Sequence, residues 1–368
     1  MLFDVQKMKK YGKTLGLVAA MTAASFSASP AFAAADDKPN IAILATGGTI
    51  ASRGANSMAL TDYGSSAGMR PVGIQALVDA VPEITTIADI TGEQVFNVGS
   101  SKLSIDNWLT LAKRTNELLK DDDIDGIVIT HGTDTLEETC YFLNLVVKSK
   151  KPVVLVGAMR PSTAVSADGP LNLINAVALA SSEEAQDKGV MVCMNDQISG
   201  GFGVTKTNTT NVDTFQCPNT GFLGYMQNNK PYFVSEPAKK HTYQTEFDVS
   251  KLTSLPRVDV NYVTLGDDGK LVDAMVGIGA EGIINAGVGH ANMPNAVMEK
   301  LTAAVNQGVV VVAGTRITSG MVTPVKKNEK AGFVSAMMHT PQKARILLML
   351  ALTKTKDKAE IQRIFDEY

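Results

Sequence analysis

The sequence predicts an α/β protein in which a larger N-terminal domain, doubly wound around a mainly parallel sheet, is followed by a smaller C-terminal α/β domain. Three observations carry this. Short, continuous apolar runs recur at 41–45, 126–130, 153–156, 190–194, 282–286 and 309–313, the pattern of strands buried on both faces. Each run is followed by Gly, Ser, Thr, Asn or Asp and usually then by a helical pattern, as crossover connections require. A polar, proline-bearing stretch without a long period, 231–256, divides an N-terminal domain at 34–230 from a C-terminal one at 257–368.

Residues 1–33 have the form of a signal peptide. Lys7, Lys9, Lys10 and Lys13 make a basic leader, 15–26 is mostly apolar and small, and Ala31-Phe32-Ala33 has the small-x-small form of a cleavage site. The expectation is export to the periplasm, with cleavage near Ala33. The leader's apolar run is too short for an anchor, and no later run of about 18 apolar residues predicts a membrane span. Losing four lysines and Asp4 with the leader takes the formal charge from −3 to about −6, which argues against a nucleic-acid partner.

The run at 41–45 ends in Thr46-Gly47-Gly48-Thr49, and the run at 126–130 ends in Thr130-His131-Gly132-Thr133-Asp134. In Thr135-Leu136-Glu137-Glu138 the spacing fits a capping box, with Thr135 as N-cap and Glu138 reaching back. Asp168-Gly169-Pro170 reads as a cap followed by proline in the first turn. Gly277 to Gly282 matches the dinucleotide fingerprint G-x-G-x-x-G, but a helical stretch precedes it and a strand follows, the reverse of the required order. Cys140, Cys193 and Cys217 are an odd set for an oxidising compartment; the apolar settings of the first two favour buried free thiols. No Cys or His spacing resembles a metal site.

Two strand ends that each deliver a threonine, in a sheet whose ligands bind outside the carboxyl ends of its strands, point to attack by a threonine oxygen. Such a hydroxyl needs a base. None of the four histidines falls in a recognisable triad order, and lysine or tyrosine can serve instead. Taken one at a time these residues have ordinary readings: Thr49 as a turn former, Asp134 as a capping carboxylate, Lys206 as a surface lysine and Ser100 as a loop serine.

Read together, the segments ATGGTIA at 45–51, ITHGTDTLEET at 129–139, KPVVLVGAMRP at 151–161, SADGPLNL at 166–173, TKTNTT at 205–210 and the tail at 342–357 resemble the bacterial type II, periplasmic L-asparaginases and the similar glutaminase-asparaginases. The resemblance spans 40–368. It implies hydrolysis of asparagine to aspartate and ammonia through an acyl-enzyme, without metal or organic cofactor, and some glutaminase activity is compatible with it. It further implies Thr49 as nucleophile with Tyr63 as its close partner, a second cluster of Thr133, Asp134 and Lys206 in which lysine shifts protons, and Ser100 and Asp134 on the substrate's α-carboxylate and α-ammonium. Ser101 and Asn292 complete the implied substrate-binding set, and the implied assembly is a homotetramer of close dimers with sites at the dimer interface. The chain departs from the family pattern in places. Ser101 stands where Gln or Glu is common, His290 where Asn is usual, and the segment 317–333 is shortened, with Glu329 its only glutamate and Tyr63's carboxylate partner unassigned. An exported amino-acid binding protein would share the leader and the two domains, but binding alone needs neither the lysine nor paired threonines.

Overall fold

The computed structural model describes residues 38–64 and 72–368; the signal-peptide reading of 1–33 lies outside them. Its N-terminal part begins with β1 (Asn40–Ala45), α1 (Ile74–Asp79), α2 (Ile84–Ile87) and β2 (Asp89–Gln94), then α3 (Ile105–Leu118), β3 (Gly126–Thr130) and α4 (Leu136–Val146). It continues through β4 (Val153–Val156), α5 (Gly169–Ala180), β5 (Val190–Met194), β6 (Gln197–Gly200), β7 (Thr205–Lys206), β8 (Phe215–Gln216), β9 (Gly224–Gln227) and β10 (Lys230–Phe233). The C-terminal part holds β11 (Val258–Tyr262), α6 (Lys270–Gly277), β12 (Gly282–Gly287), α7 (Asn295–Asn306), β13 (Val310–Thr315), α8 (Lys326–Lys330), β14 (Val334–Ser335), α9 (Pro341–Leu352) and α10 (Lys358–Glu367).

The larger sheet has the order β10-β9-β6-β5-β4-β3-β1-β2. Strands β2, β1, β3, β4 and β5 run parallel, and β6, β9 and β10 close the far edge antiparallel. The second sheet, β11-β12-β13-β14, is wholly parallel. The apolar runs form strands because each can bury both rows of side chains. In β1, Ala42 and Leu44 join Ile127 and Ile129 on one face, while Ile41 and Ile43 join Val128 on the other. Alternation with period 2 thus feeds two cores, one under each layer of helices. The first core runs on into Ile284 and Val312 of the smaller sheet and into α9, so residues 38–368 make one compact unit. A third cluster, with Ile283 and Val311, seats α6 and α7 on the other face of the smaller sheet.

Two helix starts differ from expectation. Thr135 is the N-cap residue of α4, but no side-chain capping bond forms; its hydroxyl donates instead to the Ser100 carbonyl at 3.0 Å. A long-range acceptor has displaced the local box. Asp168 likewise makes no cap bond, although proline does occupy the first turn of α5. Its carboxylate accepts from the backbone N–H of Met159 and Arg160 at 2.9 Å each, tying the helix start to the loop after β4. Helix α6 precedes the glycine-rich 277–282 and β12 follows it, the order that rules out a dinucleotide turn. All three cysteines are free and buried, and burial pushes the Cys140 thiol up to about 12.

Candidate active site

From β1 the chain passes sideways to β2, whereas β3 lies on the other side of β1 and leads away to β4 and β5. The loops after β1 and β3 therefore leave adjacent strand ends where the winding reverses, the crevice in which open α/β sheets bind ligands. Register pairs Ala45 with Thr130, and Thr46 donates to the Thr130 carbonyl through its N–H at 3.1 Å and its hydroxyl at 2.8 Å. Both loops start level.

Glycine lets them touch. Gly47 and Gly48 have φ of 109° and 89°. A Cβ on Gly48 would lie 2.2 Å from the Gly132 Cα, and one on Gly132 would lie 2.7 Å from the Ser100 hydroxyl oxygen. The backbones of the two threonine turns, and of the turn carrying Ser100, meet where no side chain fits. His131 stiffens the second turn: its Nδ1–H donates to the Gly132 carbonyl at 2.7 Å, and complete burial pushes the imidazole down to about 4, so it stands neutral.

On this frame the structure assembles two clusters. Thr49, nearly buried, opens a short 3-10 turn, and its Oγ1 is 3.1 Å from the Tyr63 hydroxyl. Tyr63 reaches it because the loop folds back on itself: Gly54 and Tyr63 form an antiparallel bridge and the Gly64 N–H donates to the Arg53 carbonyl. In the second cluster Lys206 Nζ donates to Thr133 Oγ1 at 3.0 Å and to Asp134 Oδ1 at 2.9 Å. Lys206 is not the surface lysine its local sequence suggests; its side chain is 15% exposed, whereas that of Asp134 is 66% exposed and open to a ligand. Ser100 is buried, and its hydroxyl oxygen accepts the Asp134 N–H at 3.2 Å, which leaves its own proton to point elsewhere.

Other members of the expected set lie apart. Ser101 is exposed on the Ser100–Lys102 turn, and Asn292 is exposed in the turn after β12, where its backbone bridges to Val288. Neither side chain hydrogen-bonds to these clusters among the described residues. His290 accepts from Thr323 N–H at 3.0 Å, and Glu329 sits on α8.

Sequence reasoning missed Glu137. Only 7% exposed, it accepts the backbone N–H of Lys206 through Oε2 at 3.2 Å and the side-chain N–H of Gln342 through Oε1 at 3.0 Å. A signal existed: a glutamate in the buried phase of an apolar helix needs polar partners. What it binds, 69 residues away, carries no local trace.

Fold and geometry define a two-domain α/β protein that brings a threonine–tyrosine hydroxyl pair and a threonine hydroxyl beside a lysine–carboxylate pair to adjacent strand ends. Two family models match in tandem, "Asparaginase, N-terminal" over residues 40–239 and "Glutaminase/Asparaginase C-terminal domain" over 257–365. The chain is 51% identical to L-asparaginase 2 of Bacillus subtilis, with 90% of this chain and 87% of that protein aligned. It is 47% identical to a probable periplasmic L-asparaginase of Haemophilus influenzae, over 93% and 97%. A crystal structure of a probable cytoplasmic L-asparaginase from Campylobacter jejuni superposes with a TM-score of 0.86 at 49% identity, covering 90% of this chain and all of that one. The chain belongs to the asparaginase family.

Proposed function

We propose that this enzyme hydrolyses L-asparagine to L-aspartate and ammonia through an acyl-enzyme on Thr49, with L-glutamine as a further substrate. The observation that carries the reading is the pair of hydroxyl clusters, Thr49–Tyr63 and Thr133–Lys206–Asp134, whose threonines stand on two loops in backbone contact. Thr49 Oγ1 attacks the carboxamide carbon. As the C–O bond forms, its proton passes to the Tyr63 oxygen while Tyr63 releases its own to solvent, and the C–N bond breaks as the Thr133–Lys206 cluster protonates the departing ammonia and regains that proton from solvent, so one proton moves net from Thr49 to nitrogen. Water then cleaves the ester to release the second carboxylate and restore the Thr49 hydroxyl. The Ser100 hydroxyl, whose oxygen accepts the Asp134 N–H while its proton stays available, donates to the α-carboxylate, and the open Asp134 carboxylate receives the α-ammonium. A site with one donor end and one carboxylate end selects a free zwitterion over a peptide side chain.

Thr49→Ala deletes the attacking atom, and ammonia release from asparagine should fall by several powers of ten. Near-wild-type release by that variant excludes the mechanism. Comparing kcat/KM for asparagine and glutamine measures side-chain preference.

The basic, apolar, small-x-small leader supports periplasmic export with cleavage near Ala33, tested by the N-terminus of protein recovered from the periplasm. We also infer a homotetramer of close dimers, with Asn292, exposed on its own protomer, serving a partner's site; sedimentation reads the mass.

A further inference from the structure

Lys343 is the one buried lysine or arginine among the described residues, only 2% exposed, on the first turn of α9. Its Nζ donates to three carbonyls, those of Gly201 at 3.1 Å, Phe202 at 2.7 Å and Val204. All three ammonium protons are used, and no carboxylate pairs with it directly among the described residues. Desolvating an ammonium is costly, and here peptide dipoles, the Tyr141 ring with its centroid 5.7 Å from Nζ, and a more distant carboxylate, Glu137, offset it. The neighbouring core residues of α9 are aliphatic, so packing alone does not require a lysine here.

What the lysine holds is the segment that runs into β7 and Lys206. Its carbonyls at 201, 202 and 204 point at a buried cation from the C-terminal part of the chain. Two residues on, the Lys206 N–H points at a buried anion, Glu137 of α4, itself held by Gln342, the neighbour of Lys343. Segment 201–206 is gripped at both polar ends of its backbone by groups from two different helices.

We propose that Lys343 and Glu137 are positioning residues for Lys206: they fix the backbone of 201–206 so that Lys206 Nζ reaches Thr133 Oγ1 and Asp134 Oδ1 together. The inference rests on the proton-shifting role given to Lys206 above. It assigns α9, which carries none of the proposed reacting groups, a part in setting catalytic geometry. Lys343→Met keeps the length of the side chain and removes all three donors, leaving the carbonyls of 201–204 to relax away. A shift of about 1 Å at a reacting group costs on the order of 100-fold.

In the full-length enzyme, Lys343→Met should lower kcat for asparagine about 100-fold while KM changes less than about fivefold. Ile346→Ala, a cavity in the same helix, should lower the melting temperature yet leave kcat of the folded protein near wild type. Should Lys343→Met fail to fold, Glu137→Gln provides the test. It keeps the shape but can accept only one of the two N–H groups, and kcat should fall about tenfold as one charge-assisted bond is lost. Crystal structures of the variants should show Lys206 Nζ displaced from Thr133 Oγ1. Folded variants with kcat within threefold of wild type, or with Lys206 unmoved, overturn the proposal. If the wild-type enzyme releases no ammonia from asparagine, the functional reading fails instead, and the position of Lys206 Nζ in the variants still decides this one.

Discussion

The contact between the two threonine turns allows a sharp test through Gly48→Ala. The new methyl carbon would lie 2.2 Å from the Gly132 Cα and 2.4 Å from the Gly132 nitrogen, both backbone atoms that cannot rotate aside. Ordinary contact begins at 3.4 Å, so the turns must part by 3.4 less 2.2, about 1.2 Å. That separation lies directly between Thr49 and Thr133, and misplacement on this scale costs on the order of 100-fold in rate. The left-handed φ of 89° adds about 1–2 kcal/mol of strain for an alanine. Steady-state ammonia release should therefore show kcat/KM down at least about 100-fold, with a lower thermal midpoint. Gly277→Ala is the control: it ends α6, has nothing within 4 Å of its Cβ position, and should leave activity intact with a stability gain of about 0.4–1 kcal/mol. If Gly48→Ala retains kcat/KM within threefold of wild type, close backbone contact is not what aligns the two clusters.

Two further outcomes follow from the same geometry. Lys206→Met removes the group that bridges Thr133 and Asp134; kcat should fall by about 100-fold or more, since general acid–base groups contribute that much, while circular dichroism and the thermal midpoint stay near wild type. Acid should destabilise the fold through His339, whose Nδ1–H donates to the Ala336 carbonyl at 2.8 Å and whose Nε2 accepts the Tyr141 hydroxyl proton at 2.9 Å. Burial pushes its pKa from 6.5 down to about 3, so the unfolded chain binds the proton first. Its stabilising contribution is complete above about pH 6.5 and is lost as pH falls toward about 3. At pH 5 the loss is about 2 kcal/mol, and His339→Gln should flatten the urea midpoint between pH 7 and pH 5 relative to wild type; an unchanged slope counts against this assignment.

Strand positions were legible because both-face burial leaves a local mark. VVLV at 153–156 and GIVIT at 126–130 form strands with the bounds their apolar runs suggest. The glycine–threonine turns were legible too, since only a residue without a Cβ lets the backbone approach as closely as it does at Gly48 and Gly132. Local spacing misled where a distant partner outbid a near one, as when Thr135 turned from its own helix to the Ser100 carbonyl. Lys206 looked solvated because nothing in VTKTNTT tells that β7 lies against the start of α4.

Composition and pattern were thus enough for the α/β class, six strands marked by continuous apolar runs and the two turns that bear threonine, because each depends on residues a few positions apart. The grip of Glu137 and Lys343 on the Lys206 segment and the burial that keeps His131 neutral depend on packing between segments tens to hundreds of residues apart. Contacts of that kind follow from sheet order and helix docking, which no local period encodes, so they became readable only with the chain folded.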